Sequence, residues 1–210
     1  MNFSDIRRDF GNENHSEPVW PEEPFSIFSE WVQKAIQSNI PEANAMVLST
    51  VGDDSKPSSR VVLLKGLDAS EGFSFYTDYQ SKKGRQLEMN PYASLLFFWN
   101  SLERQIRIEG RVVKQTRELS IAYFNERPVE SQISAMVSNQ SQPIKSLDEL
   151  EKQRQEILKF PESIKCPERW GGYTLLPEKI EFWQGGRHRM HHRMEYILID
   201  GNWQRHRLSP

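Results

Sequence analysis

One cysteine, Cys166, in 210 residues excludes an intramolecular disulfide and a cysteine-built zinc cage. No stretch approaches the roughly 18 apolar residues of a membrane-spanning helix. The opening MNFSDIRRDF has no apolar core of signal-peptide length. An excess of one charge sign is missing too: 27 Lys and Arg face 29 Asp and Glu, so a strongly basic nucleic-acid-binding face is not expected. Internal repeats, low-complexity tracts and linkers are absent. The expectation is a soluble, cytoplasmic protein with neither a membrane nor a nucleic-acid partner. What the chain does have is aromatic mass: Phe 11, Trp 6 and Tyr 6 supply large buried area per residue. A chain of this length can bury roughly 70% of its unfolded surface, enough for a core without staples.

Residues 1 to about 23 are polar, contain Pro18 and Pro21, and read as a partly mobile arm. From Pro24 the pattern turns helical, with Phe25, Phe28, Trp31, Val32, Ala35 and Ile36 on one face, ending before Pro41. Strands are expected at 45–51 and 59–65, forming a hairpin across GDDSKP, and at 72–77, 93–99 and 104–112. A short helix fills 81–89, and helices follow from 116 to about 126, from Pro128, and over 147–160. Strands at 172–176, 179–184, 190–199 and 203–208 close the chain. Strands grouped together, rather than alternating with helices, predict an antiparallel α+β barrel or sandwich decorated by helices, one domain over 24–210.

Five clusters could carry chemistry. Arg60 and Lys65 bracket the apolar run VVLL, although simple alternation puts them on opposite faces. Tyr76, Thr77, Ser81, Lys82 and Lys83 precede a helix, where amides and lysines suit a phosphate. Tyr123, Arg127 and Ser131, spaced four and four, would line one helix face, with Pro128 kinking the path. Ser138, Asn139, Gln140 and Ser141 form a donor-rich loop. Arg189, His191 and Arg193 share a face if their segment is extended, and His192 takes the opposite one. Zinc on His188, His191 and His192 is the sharp alternative, but it lacks a fourth ligand and the usual spacing.

Taken in order, the stretches NAMVLSTV, PSSRVVLLKG, FSFYTDYQSKKGRQLEMNPYASLLFFW, LERQIRIEG, YFNERPVESQISA, SNQS, EFWQGGRHRMHHR and RLSP resemble the pyridoxine (pyridoxamine) 5′-phosphate oxidase family from about residue 43 to 210. The resemblance implies an FMN-binding split β-barrel and a homodimer with FMN at the subunit interface. It implies FMN contacts from Arg60, Val61, Val62, Leu63, Leu64, Lys65, Tyr76, Thr77, Lys82, Lys83 and Gln105, with Gln140, Ser141, Trp183 and Arg193 completing the set. The substrate phosphate would meet Lys65, Tyr123, Arg127 and Ser131, and Arg189 and His191 would hold the pyridine ring as catalytic residues. Arg7 and Phe10 would cover the substrate from the arm.

The implied reaction oxidises pyridoxine or pyridoxamine 5′-phosphate with O2, and no metal takes part. A related flavin oxidase acting on another aromatic substrate, such as a phenazine precursor, is the rival reading; a phosphate-free substrate would not need the 123–127–131 trio. The chain departs from the family pattern at Phe10 (usually Tyr), Met136 (usually Trp), Met190 (usually Leu) and His192 (usually Asp).

Overall fold

The computed structural model describes residues 1–5, 9–11, 17–68 and 72–210. Helix α1 (Pro24–Gln37) has proline in its first turn, where the missing N–H costs nothing. It buries Ile27, Phe28, Trp31 and Ala35. Ile36, assigned to that face from the sequence, is instead 59% exposed, because its position turns past the buried stripe. Strands β1 (Ala45–Val51) and β2 (Pro57–Leu63) form the expected hairpin, from Ala45 opposite Leu63 to Val51 opposite Pro57.

The strand expected at 59–65 therefore stops earlier. Its register with β1 runs out at Leu63, and β3 (Gly66–Asp68) pairs with β4 (Gly72–Asp78). Lys65 falls between the two strands, its N–H donating to the Ser74 carbonyl. This break removes the opposite-face difficulty for Arg60 and Lys65, since strand alternation does not extend to Lys65.

Helix α2 (Lys82–Met89) is capped by Ser81, which accepts from the Gly84 N–H. Strands β5 (Tyr92–Trp99) and β6 (Arg104–Lys114) follow, then helices α3 (Arg117–Glu126), α4 (Val129–Val137) and α5 (Leu147–Leu158). The last strands are β7 (Trp170–Gln184), β8 (His192–Ile199) and β9 (Asn202–Arg207). The sheet runs β2-β1-β5-β6-β7-β4-β3, with β8 on β7 and β9 on β8, every pair antiparallel. It is a curled split-barrel sheet, the fold class expected from the sequence.

Two expectations in this half need correction. The strands expected at 172–176 and 179–184 are one strand, β7. Glu109 pairs with Lys179 but Gly110 pairs with Pro177, so Glu178 is an extra residue in a bulge, where a proline can sit inside a strand. The strand expected from 190 begins only at His192. A tight turn, Arg187–Arg189, precedes it, with His188 and Arg189 in the left-handed region at φ 55° and 62°. Arg189 is thus set by a turn, not by strand alternation.

The core joins α1 to one face of the sheet. Phe28 meets Phe73 at 5.0 Å and Phe97 at 5.4 Å, both edge-on, and Trp31 meets Phe182 at 5.4 Å. Burying such rings contributes several kcal/mol each, about 3–5 on truncation to Ala. The arm is fastened along 17–21. Trp20 packs on Trp31, Tyr196 Oη donates to the Pro21 carbonyl at 2.7 Å, and Arg207 pairs with Glu17. Among the described residues no helix is long and apolar enough to cross a membrane.

The bulge depends on a glycine. A Cβ on Gly110 would stand 2.0 Å from the Leu176 carbonyl oxygen and 2.9 Å from the Pro177 Cα, so the backbone would have to move. Gly110→Ala should cost about 1–3 kcal/mol, as overpacking does, and lower the melting temperature by roughly 2–12 °C for a chain of this size. Calorimetry checks it; an unchanged Tm would mean that the β6–β7 approach tolerates a Cβ at this position.

Candidate functional site

Where β2 ends, β4 leads into α2, and α3 gives way to α4, there is a cavity of about 410 Å³. Val61, Val62, Leu63, Lys65, Tyr76, Thr77, Lys83 and Gln140 of the expected cofactor set line it. So do Tyr123, Arg127 and Ser131 of the expected substrate set. These three do not share one helix. Arg127 is the extended residue that ends α3 (ψ 150°), Pro128 caps α4, and Ser131 lies in the first turn of α4. The kink therefore brings the trio together. Pro128 and Trp170 complete the lining. Periodicity gives no sign of Trp170; the Gly171-Gly172 pair after it, which allows close packing, was the available signal.

The lining contains the cations Lys65, Lys83 and Arg127 and no carboxylate. Lys83 is 8% exposed, and its Nζ donates to Gln140 Oε1 at 2.6 Å and Thr77 Oγ1 at 3.1 Å. Burial, with the charge of Arg60 adding to it, pushes its pKa down to about 8. Burial also lowers Arg127, whose Nη1 is shut from solvent with no hydrogen-bond partner among the described residues. A buried donor left unpaired costs about 1–3 kcal/mol, so this pocket is built for an anion.

Other members of the expected set lie outside the lining. The Arg60 guanidinium is held by the Leu48 carbonyl, Thr50, Ser58 and Gln86. Lys82 is exposed at the start of α2, Leu64 packs against the core, and Ser141 follows Gln140 on an exposed turn. A second group sits at the far end of β7, where Gln105, Trp183 and Arg193 form one rung across β6, β7 and β8.

In that group the Arg193 guanidinium is engaged by Glu181 at 2.7 Å and by the Ser209 carbonyl at 2.7 Å. The His191 ring lies 4.6 Å from Trp183 and 5.7 Å from Phe10, and Gly11 N–H donates to Glu103 at 2.7 Å. Burial lowers the His191 pKa, and Arg189 and Arg193 add to the effect. Its Nδ1 accepts from the Gly186 N–H, so the neutral ring carries its proton on Nε2. Arg7, expected beside Phe10, lies outside the described residues.

Residues 32–159 match the family model described as pyridoxamine 5′-phosphate oxidase, and residues 170–210 match the pyridoxine 5′-phosphate oxidase C-terminal dimerisation region. The chain belongs to this family. A pyridoxine/pyridoxamine 5′-phosphate oxidase of Pseudomonas fluorescens SBW25 is 50% identical over 99% of this chain and 98% of its own. One from Herminiimonas arsenicoxydans is 47% identical over the full length of both. Among solved structures, PhzG from Burkholderia lata 383, in complex with tetrahydrophenazine-1-carboxylic acid, superposes with a TM-score of 0.87 at 28% identity, covering 93% of this chain and 100% of that one. An FMN-binding protein of Nostoc punctiforme shares the fold, with a TM-score of 0.74 at 17% identity over 91% and 100% of the two chains.

The family's cofactor is FMN, and the acid-free, cationic lining fits its phosphate. A phosphate paired with Lys83 would bind best below the lysine's pKa of about 8. FMN affinity of the apoprotein, followed by flavin fluorescence quenching, should fall by up to about tenfold from pH 7 to 9. Lys83→Met should be weaker and flat across that range. A wild-type affinity independent of pH would remove Lys83 from the phosphate site.

Proposed function

We propose that the protein oxidises pyridoxine 5′-phosphate and pyridoxamine 5′-phosphate to pyridoxal 5′-phosphate. The alcohol and O2 give the aldehyde and H2O2; the amine, O2 and water give the aldehyde, NH3 and H2O2. The observation that carries this reading is the trio of Tyr123, Arg127 and Ser131 around one cavity, with an Arg127 Nη1 that has no hydrogen-bond partner among the described residues. A phosphate monoester supplies the missing acceptors, with Lys65 adding charge. FMN, when bound, supplies the two-electron acceptor and its reoxidation by O2. The chain's part is to position the substrate and exclude its alternatives. Such an activity would serve synthesis and salvage of pyridoxal phosphate in the cytoplasm.

Ring recognition falls to the other cluster. The neutral His191 offers its Nε2–H to a pyridine substituent, and Arg189 stabilises charge as the substrate carbon is oxidised. Gly172 and Trp183 lie eleven residues apart on β7, roughly 36 Å of chain at about 3.3 Å per residue. One small ligand does not span that length. The phosphate cavity of one protomer is completed by Gln105, Trp183, Arg189, His191 and Arg193 of a second copy, which makes the functional unit a homodimer with FMN between its subunits. The match of residues 170–210 to a dimerisation region supports this.

The phenazine reading is favoured by the likeness to PhzG, and a carboxylate would also pair with Arg127. Substrate dependence separates the two. Mixed anaerobically with the enzyme, pyridoxamine 5′-phosphate should bleach the flavin near 450 nm and pyridoxamine should not. Arg127→Ala should keep FMN but raise KM roughly 10- to 150-fold, the worth of a charge-assisted hydrogen bond. Equal bleaching by both amines, or an unmoved KM, would overturn the phosphate assignment.

A further inference from the structure

We infer that Trp170 is a positioning residue for substrate recognition: its indole face holds the Arg127 guanidinium in the orientation that receives the phosphate. The inference rests on the phosphate-ester reading above. Arg127 Cζ lies 4.7 Å from the Trp170 ring centroid. That contact restrains a side chain whose Nη1 has no hydrogen-bond partner among the described residues and which sits at the joint between α3 and α4. A guanidinium on a long stem samples many rotamers, and ordering it on binding weakens affinity. An indole beneath it restricts those rotamers in advance without consuming a single N–H donor.

The indole is itself fixed from two sides. Arg117, in the first turn of α3, donates to the carbonyls of Cys166, Pro167 and Trp170 at 2.5, 3.1 and 2.9 Å. The neighbouring Arg169 pairs with Asp78 at 3.0 Å and donates to the carbonyls of Ala135, Met136 and Ser138. The ring lies nearly parallel to those of Tyr76 (15°, 5.5 Å) and Tyr123 (7°, 6.3 Å), which stack on each other at 3.9 Å. Trp170 is 6% exposed, yet it borders the cavity. A residue serving only as packing would have no reason to present its face to a guanidinium whose Nη1 lacks a partner among the described residues.

The test compares Trp170→Leu and Trp170→Phe in FMN-loaded enzyme, alone and with Arg127→Ala. Steady-state kinetics are paired with equilibrium titration of pyridoxal 5′-phosphate. Trp170→Leu should raise KM and the product Kd together by about 3- to 30-fold, the range that cation–π contacts span, with kcat moving less. Trp170→Phe, which keeps a weaker π face, should fall between Leu and wild type, and it carries the test if the Leu variant does not fold. On the Arg127→Ala background, Trp170→Leu should cost less than about twofold more, because the shared contact is already gone. An equal penalty in both backgrounds, or loss of kcat and FMN with KM unmoved, would make Trp170 a packing residue and overturn the inference. If Arg127→Ala itself leaves KM unchanged, the phosphate reading fails first and this inference falls with it.

Discussion

Strand β7 runs for fifteen residues, and the register of β4, β6 and β8 is set against it. On one side it pairs with β6 along its length; on the other, its first half pairs with β4 and its second with β8. The bulge at Pro177 lets one strand serve both halves. Its length also separates the chemistry. Trp170 borders the cationic cavity, and Trp183 borders the aromatic cluster with His191. On the proposed function, the two ends meet on one substrate through pairing with a second copy.

The cavity works against the stability of the protein alone. Lys83 is buried with a depressed pKa, and Arg127 keeps an unsatisfied donor, so both charges are partly desolvated while no carboxylate lines the cavity itself. An anion that binds there returns that energy as affinity and raises the stability of the loaded protein by mass action. The contrast with Glu181 is instructive. That buried carboxylate is held by Arg107 at 3.0 Å and Arg193 at 2.7 Å, so its charge is answered within the chain. Open cations at one end of β7 and closed ion pairs at the other are different uses of the same residue types.

Much of this was legible in the sequence, for local reasons. Pro24 and Ser81 mark helix starts, and the alternation of Phe73, Phe75 and Thr77 marks a half-buried strand that the structure buries as read. The Tyr123, Arg127 and Ser131 spacing picked out three residues that do line one cavity, but through another geometry: four-and-four spacing on one helix became two helices meeting at Pro128. Features set by pairing across the sheet were not legible. Pro177 looked like a strand break because a bulge depends on the partner strand, and Arg189 was placed by alternation although its turn is left-handed. Trp170 stayed invisible because a ring stacked under an arginine has no period.

The central claim is that the cavity lined by Arg127 and the cluster holding Arg189 act on one substrate molecule only across two chains. Complementation tests it most directly. Arg127→Ala and Arg189→Met chains, each carrying a different tag, would be co-expressed and the mixed dimer isolated through both tags. Each parent homodimer should be strongly impaired at substrate concentrations below KM. The mixed dimer, with one of its two sites intact, should recover about half of wild-type kcat/KM. A mixed dimer no more active than the average of its parents would contradict the account and place the whole site within a single chain.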